Sequence, residues 1–559
     1  MTHLITRACC NDASCVAVCP VNCIHPTPSE PEFGSAEMLY IDPATCIDCG
    51  QCIDECPVSA IVRDDEMSPR DWPYLTINAD YYRDHDVRTG TYMRWRGALP
   101  ALSSELRVAI VGSGPAGFFV AERLLEHLNT TVDMFDRLPT PYGLVRAGVA
   151  PDHQDTKNVQ RLFEKVAGRE EFRYVLNVDV GRDISHDELA RNYHAVVYAT
   201  GASEDRKLGL PGEELSNSVS AREVVAWYNG HPDHPDPPID LATRHAVIIG
   251  NGNVALDVAR ILTLEHEALR RSDIPSDVLK TLRDSKIREV TVLARRDVAH
   301  AAYSTPEFLA LTQLRDTGIE IERNNLGVHP DIQRAFEDGT LDSTTSAKIR
   351  FARETAERKP KQWARPSRTI RLRFHTTPHE IVGDESGCTG IRIRSSYYGV
   401  DGRQHSGEPE TISAGLIIRA TGYRGSPVSG LPFDDRLAVV PNEAGAVAGR
   451  PGTYVAGWIK RGPQGGIGRN RMCSLETANR LLADFDDATL PEPTGSKDGA
   501  LILLRSRGIA IVDGRGWEKI DSAERVRGRL RGAPREKLID IRDMLAFASS
   551  TQSAEGTPA

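Results

Sequence analysis

Two apolar runs, Arg107 to Val111 and Ala246 to Ile249, frame the chain. Each stops at a glycine turn and is followed by apolar positions at helical spacing. The first turn is Gly112-Ser113-Gly114-Pro115-Ala116-Gly117, with the helical stretch continuing to Leu128. The second is Gly250-Asn251-Gly252-Asn253, with a helix expected over 254–264. A further strand follows each: 132–135, ending at Asp136, and 289–293, ending at Ala294-Arg295-Arg296. The pattern of strand, turn, helix and strand is that of a dinucleotide fold, and it occurs twice.

The residues at each turn say what it can hold. Gly112 permits the turn, Gly114 lets a pyrophosphate approach the backbone, and Gly117 brings helix against strand, while the helix N-terminus favours an anion. Asp136, 24 residues beyond Gly112, suits a ribose hydroxyl. The second motif is degenerate, with Ala255 or its neighbour in place of the third glycine. Its next strand ends in two arginines rather than an acid, and paired guanidiniums suit a ribose 2′-phosphate, so NADP is expected rather than NAD. The alternative is a pair of solvated surface arginines. The long spacing from Gly250 to Arg295 is assigned to a helical excursion over 265–287.

Cysteine usage changes the picture. Nine of the eleven cysteines lie between Cys9 and Cys56, and Cys9, Cys15 and Cys19 recur as Cys46, Cys52 and Cys56, each displaced by 37. Cys46, Cys49, Cys52, Cys56 and Pro57 have the spacing with which ferredoxins hold iron–sulfur clusters and send the fourth cysteine to the other cluster. One cluster is therefore expected on Cys46, Cys49, Cys52 and Cys19, and the other on Cys9, Cys15 and Cys56. Asp12 stands at the fourth corner of the second set. An oxygen ligand matches iron less well than thiolate, so a [3Fe-4S] centre or a labile [4Fe-4S] centre is expected there, beside a [4Fe-4S] centre on the first set. Structural zinc is the alternative, though zinc sites seldom carry a doubled spacing. Cys10 and Cys23 fall outside the repeat; a competing alignment makes Cys10 the ligand, but the offset of 37 favours Cys9.

Charge and composition exclude other classes. The 559 residues are 40% hydrophobic and 26% charged, which is ordinary for a multidomain globular chain. Residues 1–66 hold eleven acids against Arg7 and Arg63, nearly all of the net charge of −10. Such a head argues against nucleic-acid binding and allows docking on a basic surface. No apolar run reaches membrane length and the start lacks a signal-peptide pattern, so no membrane association and a cytoplasmic location are expected. Residues 107–387 contain no cysteine, which excludes dithiol chemistry between the two nucleotide folds. The electrons of an NADPH-to-FAD pair have the cysteine head as their destination.

From Leu106 to about residue 487 the sequence resembles the adrenodoxin-reductase type of ferredoxin–NADP reductase, on LPTPYGLVRAGVAPDH (138–153), GNGNVALDVAR (250–260) and GWIKRGPQGGIG (457–468). The head resembles a seven-iron or eight-iron bacterial ferredoxin. The resemblance implies that Ala116, Asp136, Leu144, Val180, Trp458 and the Gly465-Gly466-Ile467 backbone line FAD. It implies that Asn251, Gly252, Asn253, Val254, Arg295, Arg296 and Glu307 hold NADP, with Gly465 near the nicotinamide. His153 matches a histidine kept beside the flavin for proton handling; a hydrogen-bonded structural histidine is the alternative. Where relatives can place a second glutamate the chain has Ala310, and Arg469 and Arg471 depart from the usual lining.

The expected architecture is multidomain: an α+β two-cluster ferredoxin fold over 1–66, a linker over 67–104, then tandem α/β Rossmann-like domains. FAD-binding sequence occupies 105–203 and 419–490, NADP-binding sequence 204–418, a helical extension 491–548 and a disordered tail 549–559. The expected activity is reversible electron transfer between NADPH and ferredoxin or another one-electron carrier. Two readings compete with it: an electron-feeding subunit resembling the glutamate synthase small subunit, and a redox-sensing NADP-binding scaffold.

Overall fold

The duplicated head folds as its repeat requires. His3–Ile5 and Tyr40–Ile41 occupy places 37 residues apart, as do Ile24–His25 and Ile61–Arg63. Each copy's first strand pairs antiparallel with the other copy's last, His3 opposite Arg63 and Ile24 opposite Ile41. The two copies thus interlock through backbone before any cluster braces them. The computed structural model describes residues 2–85, 87, 104–358, 367–399 and 401–550.

The expected linker begins with structure. Trp72–Asp84 is a helix with Pro73 in its first turn, where a missing N–H costs nothing. Its buried Asn78 accepts from the Ile5 and Ile41 amides at 3.1 and 3.0 Å, one from each copy, and donates to Ile5 O at 2.9 Å. Tyr82 Oη reaches the Cys23 and Tyr40 carbonyls at 2.8 and 2.7 Å. Residues 72–84 therefore belong to the head's packing, in keeping with the aromatics Trp72, Tyr74, Tyr81, Tyr82 and Trp95, which in the sequence suggest a linker packed on a domain. Trp95 lies in residues 88–103, outside the described residues, as does the tail from 551.

The first nucleotide motif sits in a seven-stranded sheet. Its parallel strands Thr453–Val455, Ala195–Tyr198, Leu106–Val111, Thr130–Asp136 and Phe172–Leu176 lie side by side in that order. The second sits in a six-stranded parallel sheet ordered Ser218–Ser220, Leu416–Arg419, His245–Ile249, Glu289–Leu293, Arg368–Arg373 and Thr317–Ile321. Between the two sheets the chain crosses twice, and the crossings pair: Glu204–Asp205 runs antiparallel to Tyr423–Arg424. An antiparallel three-stranded sheet (Thr376–Asp384, Gly387–Tyr398, Gln404–Ser413) flanks the second motif. The helices after the turns are Pro115–Leu124 and Asn253–Thr263, the first shorter than its apolar spacing indicated and the second starting one residue earlier. The excursion over 265–287 contains helices His266–Arg270 and Ser276–Arg283.

Two regions without motifs turn out to be braces. Helix Ser343–Glu357 packs on the head helix, its Ser343 amide donating to the Asp84 carboxylate. The C-terminal helices Gly499–Ser506, Gly514–Arg531 and Ile541–Ser549 close over the first sheet, where Val512 and Leu176 exchange amide–carbonyl bonds of 3.0 Å.

Candidate active site and cluster sites

Both glycine turns are built by exclusion. At Gly112 (φ +109°) a Cβ would meet Ala199 O at 2.5 Å, at Gly117 it would meet Gly112 O at 2.2 Å, and at Gly250 (φ +114°) it would meet Ala420 O at 2.3 Å. Nothing lies within 4 Å of a Cβ built at Gly114, Gly252 or Gly466, so these turns are open on the side where a ligand backbone would lie. No side chain caps the helices that begin at Pro115 and Asn253, which leaves their ends for a ligand, whereas in the helix that begins at Ile467 the Gly468 amide goes to Cys10 O.

The residues expected at FAD converge on one cleft in part. Asp136 closes its strand and accepts from Ser113 N and Ser113 Oγ at 2.9 and 2.6 Å, which ties it to the first turn. Ala116 packs against Gly457, and Ser474 Oγ donates to Ala116 O at 2.9 Å. Leu144 is apolar yet exposed, and Trp458, 5.5 Å from the Tyr423 ring, has a buried Nε1 without a partner. An exposed leucine, an orphaned indole N–H and an uncapped helix end fit a flavin dinucleotide. Val180 is bridged to Ile184 and packs on the core that holds Val111 and Ile459, the neighbours of Gly112 and Trp458.

On the NADP side, Asn253 Oδ1 accepts from Ser304 N at 2.8 Å and Asn251 Oδ1 from Ala302 N at 3.4 Å, which fixes the loop ahead of Glu307. Val254 is half-buried in the first turn of its helix. Arg295 and Arg296 are exposed and line a cavity of about 640 Å³ together with His379, Arg394, Ser396 and Tyr398. The last four come from the antiparallel sheet, far along the chain, and no local pattern marked them. Three guanidiniums and an imidazole fit a phosphomonoester.

The cysteines separate into two groups. Cys19, Cys46, Cys49 and Cys52 line one cavity, which Cys23 shares with its Sγ 3.4 Å from Cys19 Sγ. Cys9, Cys15, Cys56 and Asp12 form the other group, with Cys10 Sγ 3.5 Å from Asp12 Oδ1. Backbone amides of Leu39 and Ala60 donate to Cys9 and Cys56 Sγ at 3.5 and 3.2 Å, and such bonds tune bound clusters. Burial pushes the Cys9 and Cys52 thiols up to about 12, so taking up metal as thiolates releases protons. Asp12 also answers to Ser14, whose amide donates to it at 3.1 Å. Soft thiolates at this spacing fit iron–sulfur clusters.

His153 is buried among charges that sequence reasoning did not assemble. Arg260 donates to Asp152 at 2.7 and 3.1 Å, to Asp257 at 2.7 Å, and to His153 Nε2. Glu307 Oε2 lies 3.8 Å from His153 Nε2. Arg7, from the head, donates to Glu307 at 3.2 and 3.0 Å and to His153 Nε2. Burial first, then Arg260, holds the imidazole down to about 3, so it is neutral. Burial raises Asp257 to about 7. His153, Asp257 and Glu307 could face one cation, with ligand atoms within 4.8 Å of one another, but two guanidiniums are set among them and the cluster is charge-paired.

The head seats against the flavin cleft. Gly468 N, in the first turn of helix Ile467–Asp486, donates to Cys10 O at 2.9 Å. Arg471 donates to Asp12 O at 2.8 Å and to Glu122 at 3.4 Å. Its departure from the usual lining is thereby explained, since it serves the chain's own head.

Family comparisons agree with this layout. Residues 106–329 match the pyridine nucleotide-disulphide oxidoreductase model, and 8–60 and 38–86 match two models described as 4Fe-4S dicluster domain. Fold and site together define a pyridine-nucleotide oxidoreductase of the FAD/NADP-binding kind, joined to a dicluster ferredoxin head. The chain is 44% identical to the probable ferredoxin/ferredoxin–NADP reductase of Mycobacterium leprae, with 98% of each covered. It is 38% identical to the mitochondrial NADPH:adrenodoxin oxidoreductase of Arabidopsis thaliana, covering 82% of this chain and 99% of that protein. The solved structure of Mycobacterium tuberculosis FprA in complex with NADPH superposes with a TM-score of 0.73 at 37% identity, over 80% of this chain and all of that one. The chain belongs to the ferredoxin/ferredoxin–NADP reductase family. Among the described residues no helix is long and apolar enough to cross a membrane.

Proposed function

We propose that the protein moves electrons reversibly between NADPH and a ferredoxin-type carrier, through FAD and then through its own two clusters in a fixed order. FAD, when bound, supplies the conversion of a hydride into single electrons. The chain's residues supply position. Arg295, Arg296 and Arg394 would hold the 2′-phosphate, Asn251 to Val254 the pyrophosphate, and Glu307 with His153 the nicotinamide end. Ala116, Asp136, Leu144, Trp458 and the 465–467 backbone would hold FAD; Val180 has less support.

The observation that carries the order is the bond from Gly468 N to Cys10 O at 2.9 Å. It sets the Cys9, Cys15, Cys56 and Asp12 group against the helix that follows the 465–467 backbone expected at the flavin. Cys49, in the other group, is exposed. The Asp12 side is then the inner cluster, read as [3Fe-4S] or a [4Fe-4S] that loses iron readily, and the Cys46 side the outer [4Fe-4S] cluster that meets the carrier. The acidic surface of the head suits a carrier with a basic face.

Iron and sulfide per flavin, with electron paramagnetic resonance of the oxidised protein, test the reading. About seven or eight irons per flavin support it. A single cluster, or zinc in place of iron, defeats it.

A further inference from the structure

Arg7 and Arg63 are the only lysines or arginines of residues 1–66, and the neighbours of Arg7 in sequence are the uncharged Thr6 and Ala8. It leaves the head altogether and points into the His153 cluster of the reductase. There it makes a two-pronged bond to Glu307, at 3.2 Å from Nε and 3.0 Å from Nη2. The same Nη2 lies against His153 Nε2, which Arg260 Nη2 also contacts, so the imidazole is held between a guanidinium from the head and one from the reductase.

We propose, on the reading of the site given above, that Arg7 is a positioning residue of the hydride-transfer site, a cation inserted by the head that fixes Glu307 beside His153. The reductase half then has its working charge pattern only with the head seated. The groups that face His153 are Asp152 beside it, Asp257 and Arg260 on helix Asn253–Thr263, Glu307 on helix Thr305–Thr312, and Arg7 from the head; Tyr228, on helix Ala221–Tyr228, adds to the surroundings of Asp257 and Arg260, and Tyr74, on helix Trp72–Asp84, to those of Arg7 and Glu307. Arg7 acts in one direction on the acids and the imidazole alike: it makes proton uptake by Asp152, His153, Asp257 and Glu307 less favourable. Removing one positive charge from a buried cluster must raise the proton affinity of all of them. A cavity of about 530 Å³, lined by Arg7, Arg70, Tyr74, His153 and Gln313, gives water access to the cluster from the head–reductase seam.

The test uses the full holoprotein. Equilibrium NADP+ affinity, read from the flavin spectrum, and single-turnover flavin bleaching by NADPH are each followed from pH 5 to 9. Arg7→Ala and Arg7→Gln should move the midpoint of both profiles upward by about one pH unit, and Arg7→Lys should stay with the wild type. Glu37 holds the head at Thr305 N (2.7 Å) and Lys348 (3.0 Å), so Glu37→Gln loosens seating without removing Arg7. Added to Arg7→Ala, it should move the midpoint no further. A wild-type midpoint in Arg7→Ala and Arg7→Gln, or a further shift when Glu37→Gln is added to Arg7→Ala, overturns the inference. A wild-type protein that binds no NADP+ refutes the proposed function instead.

Discussion

A Cβ at Gly468 would lie 2.0 Å from Asn11 O, so the ferredoxin head and the flavin-side helix touch backbone to backbone at this point. Gly468→Ala forces them apart. The overpacking cost, about 1–3 kcal/mol, leaves the head seated about ten- to hundredfold less often. NADPH-driven reduction of ferricyanide should persist with the upward-shifted pH profile expected of Arg7→Ala, while reduction of an external ferredoxin or cytochrome falls by a similar factor.

The phosphate cavity makes a second prediction. Arg295, Arg296 and Arg394 line it, and a charge-assisted bond is worth about 1.5–3 kcal/mol. Arg296→Ala and Arg394→Ala should each raise KM for NADPH about tenfold or more, with kcat nearly unchanged and whatever activity NADH supports unaltered. Equal losses with both nucleotides would remove these residues from the 2′-phosphate.

Within the His153 cluster the acid that titrates near neutrality is Asp257, at about 7, and not the histidine, at about 3. Raising pH through 7 takes a proton from Asp257 and adds a negative charge beside a polyanionic ligand, so NADP+ affinity should fall on the alkaline side. Asp257→Asn should abolish that inflection and His153→Gln should leave it, as isothermal titration across pH would read.

Stability carries its own pH signature at Glu524, which is fully buried. It accepts from Arg146 at 2.9 Å, Arg535 at 3.0 Å and Leu538 N at 2.9 Å. Arg146 lies in the 138–153 motif, so this bond ties the C-terminal helices to the cofactor loop. Coulombic attraction and hydrogen bonds from these partners outweigh burial and hold its carboxyl below the usual range. Its stabilisation is therefore present above the ordinary glutamate range and lost as pH falls through the lower folded value. Glu524→Gln should cost about 3–5 kcal/mol at pH 7, with the deficit shrinking in acid, measured by urea denaturation.

What the sequence made legible was whatever repeats or recurs locally. The 37-residue offset announced the interlocked head, and the two glycine turns announced both sheets, because a strand, a tight turn and a helix are encoded by neighbours. Arg394 and His379 stayed invisible because they reach the phosphate cavity from a sheet about a hundred residues beyond Arg295. Arg7 and Arg260 were legible as charges but not as partners of His153, since their meeting depends on how the head seats. Asn78 is the same case: one buried amide joins two copies and a helix, and no spacing betrays it.

The central claim, that electrons leave the flavin through the head, is tested most directly by mixing the holoprotein with NADPH anaerobically and freezing it at intervals for electron paramagnetic resonance. Reduction of the clusters, read as loss of an oxidised [3Fe-4S] signal or growth of a reduced [4Fe-4S] signal, should follow flavin bleaching in the wild type and should lag far behind it in Gly468→Ala. Clusters that stay oxidised beside a fully bleached flavin, or that are reduced equally fast in both proteins, would contradict it.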